Sequence, residues 1–568
     1  MALTTETWED TLARRGTRLT EALSAAPGGA AEAHAGPALD GGQRLQVVDT
    51  LAQVLGGAYC HLPQKRAGFA VDPVQALALL RRRCASLTDA EFHLAVTGLV
   101  TGLRDAHTRY VGPSTVRGSV AALPFLVEQC GPPEDPRLLV TKVSDAGLVD
   151  DEEFIEGVRL EWWNGVPVAR AVDIYADHET GGRPDSRRAR ALESFTFRSL
   201  AYGPPPDEHW VQIGYRTRRG RRREVRMDWR VIDPGRSASA VHPGSRAGLR
   251  VGADLAAETV RRAKTMQFAG QVWRAERAGR PTAAAAGSAW LPTDLPDVLA
   301  ARPLARGRLG YLRIWSFDVG DHDFFLAEVS RLLAALPQRG VVVDVRGNPG
   351  GLVWAAERML QLFTDEEIQP TRFSLLASPL TRAMAASPFN RLELDPWAAS
   401  LEDAVVTGEL YSRPLPLTDP DWCNDVGRQY PGPALLVVDS TTYSSGDLLA
   451  AGWADHGIGP VVCVGEATGA GGANVWTDAQ LRDALLGTPY GFPPLPAGVG
   501  FTTAFRRAVR SGRSDGVPIE DLGVTGLPHV LTVDDLLHGN RDLLARCARL
   551  LAGQTPAAVL PGQRRDEG

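Results

Sequence analysis

Two turns that follow predicted buried strands carry residues suited to hydrolytic chemistry. The first, residues 439–447 (DSTTYSSGD), places Ser444 between the apolar strand ALLVVD and a predicted helix. A serine at this junction exposes its hydroxyl, and the free N–H groups at the helix start favour negative charge beside it. Ser444 is therefore a candidate nucleophile, with Ser445 as the alternative. The same composition is also typical of an ordinary helix N-cap.

The second turn, residues 344–351, is rich in glycine and reads DVRGNPGG. Adjacent glycines allow a ligand to approach the backbone closely. The N–H of Gly350 or Gly351, together with that of Ser445, could then bind the oxyanion of a tetrahedral intermediate. The turn lacks the GK[ST] ending of a phosphate-binding loop, and a purely structural turn remains an alternative.

The order of these motifs resembles the C-terminal-processing (tail-specific) serine protease family. DVRGNPGG, YSSGDLLAAG and VGEATGAGG follow one another as the core motifs of that family do. The resemblance extends over residues 43–550 and is weakest at 233–300. It implies a helical cap, a PDZ-like domain and a crotonase/ClpP-like ββα core. It also implies a peptidase that works through an acyl-enzyme without a cofactor or metal.

The family uses either a Ser–Lys dyad or a Ser–His–Glu triad, and the lysine content of this chain separates the two. In the dyad branch the lysine lies in a G-E-x-T-x-G-K-G loop, whereas here the loop reads GEATGAGG with Gly471 at the lysine position. The chain has three lysines, and none follows Lys264. Because arginine stays protonated, it cannot replace lysine as the base. The sequence therefore excludes a dyad built from the core.

The triad branch includes tricorn protease and the chlamydial protease-like activity factor, and it indicates the remaining site residues. His107 lies in LRDAHT, which matches the motif L-x-D-x-H-T. Glu520 lies in PIEDLGV, which matches [IL]-E-x-x-G-V-x-P except for a shifted proline. The resemblance thus implies Ser444 as nucleophile, His107 as base and Glu520 as the acid that orients the base.

Other residues remain open for the supporting roles. The alternatives are His456 and His529 for the base, and Asp521, Glu466 and Asp447 for the acid. Tricorn protease carries a serine directly before its histidine, and Ala106 replaces it here. This difference removes an assisting group but leaves the triad intact.

Hydrophobic periodicity predicts an α/β multidomain protein. Apolar residues recur every three or four positions in 43–103, short strands bounded by turn residues fill 119–232, and strands alternate with helices from Arg308 onward. Asp72 with Pro73, and Thr88 with Glu91, are typical helix starts. The predicted units are an N-terminal extension or linker (1–42), a helical cap (43–118), a PDZ-like domain (119–232), a linker with one or two helices (233–300), a catalytic α/β core (301–550) and a flexible tail (551–568).

Local sequence refines the prediction for the PDZ-like domain. The stretch EGVRLEWWNGVPV carries the PDZ resemblance, and Trp162 and Trp163 are expected to pack inside the domain. The basic run from Arg216 to Arg223 is followed by acidic residues, which favours a solvated hairpin edge. A PDZ-like domain binds extended chain ends by strand addition.

Composition limits the classes of partner. The net charge of −6 over 568 residues indicates neither nucleic acid nor an anionic membrane. The six cysteines form no CxxC pair or metal-ligand spacing, the start lacks a signal-peptide pattern, and no apolar run is long enough to span a membrane. We therefore expect a cytoplasmic enzyme with a peptide or protein substrate, and the family resemblance allows a homo-oligomer. The alternatives are an esterase or acyl transferase with the same triad, and a non-catalytic ligand- or peptide-binding relative.

Overall fold

The computed structural model describes residues 8–24, 38–113, 119–132, 134–235, 251–277, 290–304, 307–389 and 394–553. These residues form a mixed α/β structure with several sheets, which confirms the coarse fold class. Parts of the predicted N-terminal extension (1–7 and 25–37), linker (236–250 and 278–289) and C-terminal tail (554–568) lie outside the described residues. Within the described residues, no helix is long and apolar enough to cross a membrane.

The first part of the chain is helical. Its elements are α1 (Trp8–Arg15), β1 (Thr17–Arg18), α2 (Leu19–Ser24), α3 (Gly41–Gly57), α4 (Leu62–Phe69), α5 (Pro73–Arg83), α6 (Asp89–Thr101) and β2 (Arg109–Val111). Asp72 caps α5 with Pro73 at its first position, and Thr88 forms a capping box with Glu91 at α6, as predicted. Helix α4 was not predicted.

Residues 119–232, named here the β-rich region, contain the predicted short strands. The elements are β3 (Val120–Ala122), β4 (Phe125–Cys130), β5 (Arg137–Val143), β6 (Arg159–Trp163), β7 (Val166–Pro167), α7 (Val168–Ala176), α8 (Pro184–Ser194), β8 (Phe197–Ser199), β9 (Trp210–Arg216), β10 (Arg222–Asp228) and β11 (Arg230–Ile232). The basic run joins β9 to β10 as a hairpin, as expected. Trp163 is buried, but Trp162 is 44% exposed, so its predicted packing is wrong. Successive strand residues face opposite sides of the sheet, which separates the two tryptophans.

The segment predicted as a linker is built into the structure where it is described. It contains β12 (Val251–Ala253), α9 (Leu255–Phe268) and α10 (Gly270–Arg277). Glu258 of α9 is fully buried, and it accepts hydrogen bonds from Arg261 and Ser316. Arg261 belongs to α9 itself, whereas Ser316 belongs to the core, so the hydrogen bond from Ser316 ties α9 to the core rather than leaving it as a loose connection.

The α/β core contains a six-stranded sheet. Its elements are β13 (Leu299–Leu304), β14 (Leu309–Ile314), α11 (His322–Ala335), β15 (Val341–Asp344), β16 (Gly350–Leu352), α12 (Val353–Arg358), β17 (Arg372–Leu375), α13 (Pro379–Ala385), α14 (Asp395–Thr407), β18 (Leu415–Pro416), α15 (Pro420–Cys423), β19 (Ala434–Asp439), α16 (Ser445–Asp455), β20 (Val461–Val464), β21 (Ala473–Thr477), α17 (Asp478–Ala484), β22 (Gly500–Val509), β23 (Leu527–His529), α18 (Val533–Leu537) and α19 (Arg541–Leu551). The strand order is β13-β14-β15-β19-β20-β23, parallel except for the β13–β14 pair. Because β15 and β19 are parallel neighbours, the turns that follow them meet at one edge of the sheet.

A second sheet joins the helical cap to the core. Strand β2 pairs antiparallel with β22, so that Arg109 faces Thr502. Thr502 also donates its hydroxyl to the carbonyl of His107 at 2.8 Å, and the Ala504 N–H donates to Thr108 Oγ1 at 3.0 Å. These bonds hold the end of the cap against the core despite the long chain between them.

Candidate active site

Ser444 lies on a sharp turn between β19 and α16. Its φ of 59° is in the left-handed region, which is uncommon for a residue other than glycine. Its backbone N–H donates to Asp447 Oδ2 at 2.8 Å, which holds the turn in this conformation. The side chain is buried at the start of α16, where the helix favours developing negative charge.

His107 approaches Ser444 from the helical cap. Its Nε2 lies 2.7 Å from Ser444 Oγ. The carboxylate of Asp105 fixes the loop, since it accepts the His107 N–H at 2.8 Å and the Thr108 hydroxyl at 2.7 Å. Burial lowers the pKa of His107 to about 4, so the imidazole is neutral near pH 7 and can accept a proton. The structure thus brings the predicted nucleophile and base together.

Glu520 is buried in the same part of the structure but forms no hydrogen bond with the His107 ring. Its Oε1 is 2.6 Å from Lys65 Nζ, and its Oε2 accepts the Gly472 N–H at 3.1 Å. Burial raises the pKa of Glu520, and the Lys65 ammonium opposes this effect. Among the described residues, His107 Nδ1 has no hydrogen-bond partner. The predicted acid therefore belongs to a neighbouring buried charge cluster.

That cluster contains residues that the sequence interpretation missed. Lys65 is fully buried and bridges Glu520 and Asp521, and these carboxylates raise its pKa against the effect of burial. His61 lies 3.5 Å from Glu520, and burial lowers its pKa to about 3. The chain has only three lysines among its 61 lysines and arginines. The presence of one of them in the cap was therefore the sequence signal for a specific role of Lys65.

The same cluster is the strongest candidate for a metal site in the described part of the chain. His61, Asp105 and Glu520 offer ligand atoms within 4.8 Å of one another. However, the Lys65 ammonium already neutralises Glu520 at 2.6 Å, and a cation there would be repelled by it. The residues present therefore fit an ion-paired network better than a metal centre.

The glycine turn forms the other side of the site. Gly350 and Gly351 have φ values of 98° and 145°, and a Cβ on Gly351 would lie 1.9 Å from the backbone carbon of Phe317. The Gly350 N–H donates to Asn348 Oδ1 at 2.9 Å, and Gly351 pairs with Gly252 of β12. Of the two glycines predicted as oxyanion donors, Gly350 thus already has an acceptor within the chain, and Gly351 lies in a strand pair.

The position of the dyad lysine is filled by an aromatic ring. A Cβ on Gly471 would lie 2.2 Å from Cζ of Tyr443. Asp447 accepts the N–H of Gly471 at 2.9 Å and that of Ala470 at 3.1 Å, and burial raises the pKa of Asp447 to about 6. Tyr443 and the 465–472 loop therefore leave no room for a lysine side chain at position 471.

The alternative bases and acids occupy other surroundings. His456 contacts the backbone of Gln369, and His529 Nε2 lies 2.8 Å from Asp535. Glu466 is exposed and pairs with Arg183, whereas Asp521 pairs with Lys65 and Asp447 bonds to backbone N–H groups. Ser445 donates its hydroxyl to the carbonyl of Gly351 at 2.9 Å. Each of these residues thus has a structural contact of its own.

Comparison with known proteins gives one family match and several similar solved structures. A model of peptidase family S41 matches residues 308–490. The crystal structure of mature CPAF has a TM-score of 0.62 and 16% identity, and the match covers 91% of this chain and 99% of that chain. CPAF complexed with lactacystin has a TM-score of 0.59 and 16% identity, with coverage of 90% and 99%. The photosystem II D1 C-terminal processing protease has a TM-score of 0.36 at 16% identity, with coverage of 90% and 98%.

The CPAF structures show that this chain shares their fold. No curated protein matches the chain. The family match confirms the resemblance to the tail-specific proteases through residues 308–490. Together, these findings support a serine peptidase, and hence a hydrolase.

Proposed function

We propose that this protein cleaves peptide bonds through an acyl-enzyme formed on Ser444, with His107 as general base. The observation that carries the proposal is the 2.7 Å separation between His107 Nε2 and Ser444 Oγ. A neutral imidazole at hydrogen-bond distance can remove the serine proton as the oxygen attacks. Ser444 lies in a left-handed turn at the start of α16, where the helix favours the negative charge that develops during the attack.

The reaction proceeds in two halves. Ser444 Oγ attacks the substrate carbonyl while its proton passes to His107 Nε2, and the tetrahedral intermediate accepts N–H bonds from Ser445 and from Gly350 or Gly351. To do so, the glycine N–H would exchange its partner within the chain for the substrate. His107 then protonates the leaving amine, and the Ser444 ester remains. Water attacks this ester with His107 again as the base, which regenerates the serine.

Glu520 is retained as the proposed acid because its carboxyl group pairs with the Lys65 ammonium at 2.6 Å in the cluster beside the base. Asp105 is its rival, since it binds the His107 backbone and exerts the largest favourable charge effect on the pKa of the ring. A negative charge near the imidazole stabilises the imidazolium that forms during proton transfer. Either carboxylate could supply this charge.

The finer assignments follow the family resemblance. The proposed architecture is a helical cap, a PDZ-like β-rich region that binds or admits extended peptide chains, and a crotonase-like core. The proposed substrate is a peptide or protein in the cytoplasm, cleaved internally or near its carboxyl end. Because Ser444 and His107 are each only 1% exposed, substrate entry would require movement of the surrounding elements.

Fluorophosphonate labelling of the full chain tests the nucleophile. We expect labelling of the wild type and of Ser445→Ala, and none of Ser444→Ala. Lactacystin, which is bound in one CPAF structure, serves as a second probe and should compete with the label. A well-folded wild type that resists both probes would contradict the proposal.

An esterase or acyl transferase with the same residues is the second candidate, because a fold does not determine the substrate. Digestion of a peptide library, compared with hydrolysis of small esters by the same preparation, separates the two. Peptide cleavage that is lost in Ser444→Ala supports the peptidase. Ester hydrolysis without peptide cleavage supports the alternative.

A further inference from the structure

Arg190 connects the β-rich region to the candidate active site. It lies on α8, is 5% exposed, and its guanidinium carbon is 4.7 Å from the centre of the Tyr443 ring. The ring centre of Tyr443 is in turn 4.8 Å from that of His107. A cation over an aromatic face is attracted by the ring electrons, most strongly when it is buried. Three side chains therefore pack in series, with the proposed base at one end.

Two further contacts fix this series in place. The Tyr443 hydroxyl accepts the N–H of Ala106, the residue before the base, at 3.2 Å. Arg190 forms an ion pair with the buried carboxylate of Asp254, which caps α9 by accepting the N–H groups of Ala256 and Ala257. Arg190 is thus anchored on one side, and Tyr443 contacts both the ring and the backbone of the His107 loop.

We propose that Arg190 is a positioning residue that acts through Tyr443 to hold His107 at Ser444. This inference rests on the proposed roles of Ser444 and His107. Arg190 itself touches neither the serine nor the substrate. Loss of Arg190 would remove one of the contacts that fix the Tyr443 ring, so the His107 ring would be held less firmly at its distance from the nucleophile. Small displacements of this kind are costly, about a hundredfold in rate for 1 Å.

The charges around His107 define a second effect of Arg190. The groups that face the ring are Asp105 from its own loop, Arg109 from β2, His61 from the turn before α4, Arg190 from α8 and Asp254 from α9. Arg190 lowers the pKa of His107 and Asp254 raises it. Without Arg190, Arg109 at 3.8 Å is the one cationic side chain among the described residues that still pairs with Asp254, so the His107 pKa rises. The acidic limb of the kcat/KM profile should then move to higher pH.

The test compares Arg190→Met, Asp254→Asn and the double variant by their kcat and their pH profiles of kcat/KM. We expect Arg190→Met to lower kcat by about ten- to a hundredfold and to shift the acidic limb upward. The double variant removes both members of the Arg190–Asp254 ion pair, and asparagine can still cap α9. Its acidic limb should return toward that of the wild type while kcat stays low. Arg190→Lys, which keeps the charge, should restore the limb and part of kcat.

Arg198→Met is the matched control, since Arg198 stacks on Tyr175 and Trp229 instead of Tyr443. Its kcat and acidic limb should equal those of the wild type. Full kcat in the double variant would overturn the inference, because Arg190 would then only neutralise Asp254. If the wild type takes up fluorophosphonate at Ser444 but Arg190→Met shows wild-type kinetics, this inference alone fails. Absence of labelling in the folded wild type refutes the proposed function as well.

Discussion

At the scale of single residues, the ring of the base makes its contact with the nucleophile but not, among the described residues, a hydrogen bond with an acid. His107 meets Ser444, but its other ring nitrogen has no partner among the described residues, and Glu520 bonds to Lys65 and to the backbone of Gly472. In a direct triad the carboxylate would accept the Nδ1–H and fix the tautomer. Here the carboxylates surround the base without accepting that proton, so their charge is their principal contribution.

Replacing each carboxylate by its amide identifies the acid. We expect Glu520→Gln to lower kcat by about a hundredfold or more with little change in KM, because the imidazolium loses its stabilising charge. Asp105→Asn provides the comparison under the same conditions. A larger loss in Asp105→Asn, with Glu520→Gln nearly as active as the wild type, would assign the role to Asp105. Glu520→Gln leaves the buried Lys65 with Asp521 as its carboxylate partner. Circular dichroism of both variants therefore checks that the fold is intact.

The glycine at the position of the family lysine allows a second test at this scale. Gly471→Lys should fail to restore activity to His107→Ala, because the Tyr443 ring fills the space that the lysine would need. The overpacking should also reduce the free energy of unfolding by about 1–3 kcal/mol. Gly98→Lys, at an open and exposed position within α6, is the control and should lose no stability, because lysine forms helix better than glycine. Turnover by the Gly471→Lys/His107→Ala enzyme would show that a dyad can form.

At the scale of elements, one carboxylate joins the two loops that frame the nucleophile. Asp447, in the first turn of α16, accepts N–H groups from Ser444 on its own turn and from Ala470 and Gly471 on the 465–472 loop. Such a buried acceptor satisfies donors that the fold would otherwise leave unpaired. The strained turn at Ser444 and the loop beside it are therefore stabilised together.

Asp447→Asn should weaken both the fold and the reaction. An amide has one acceptor oxygen, and its own NH2 group would face N–H donors, so we expect a loss of about 1–3 kcal/mol in the free energy of unfolding. The kcat should fall at least tenfold as the turn relaxes, because the rate depends steeply on the position of the nucleophile. Denaturant unfolding and steady-state kinetics measure the two effects. Glu466→Gln, on the exposed side of the same loop, should change neither, and wild-type values in Asp447→Asn would contradict this role.

At the scale of the whole molecule, local sequence predicted the elements better than their joint geometry. The strand-turn-helix pattern around Ser444 and the caps at Asp72 and Thr88 depend on neighbouring residues, and the structure contains them. The family motif led to His107, but the pairing of β2 with β22 that positions it is a long-range contact with no local signal. The role of Lys65 in the buried cluster was missed for the same reason.

Buried neutral histidines should make the folded protein sensitive to acid. The pKa of His61 is lowered to about 3, whereas an unfolded histidine titrates near 6.5, so the unfolded state takes up the proton first as pH falls. Stability is therefore complete above about pH 6.5 and is lost toward lower pH, by about 2 kcal/mol at pH 5 for this one group. Relative to His61→Leu, the wild-type free energy of unfolding should fall more steeply between pH 7 and 5. The exposed His209→Leu should keep the wild-type slope, and equal slopes for all three proteins would contradict the prediction.

The pairing of β2 with β22 also has a consequence for the time at which activity arises during synthesis. A ribosome makes the base early and the serine much later, and the strand that holds the base in place, Gly500–Val509, later still. Chains grow and fold from their N-terminus, so a nascent chain that already contains Ser444 lacks the support that brings His107 to it. Proteolytic capability would thus arise only after the segment Gly500–Val509 has been made, later than the serine itself.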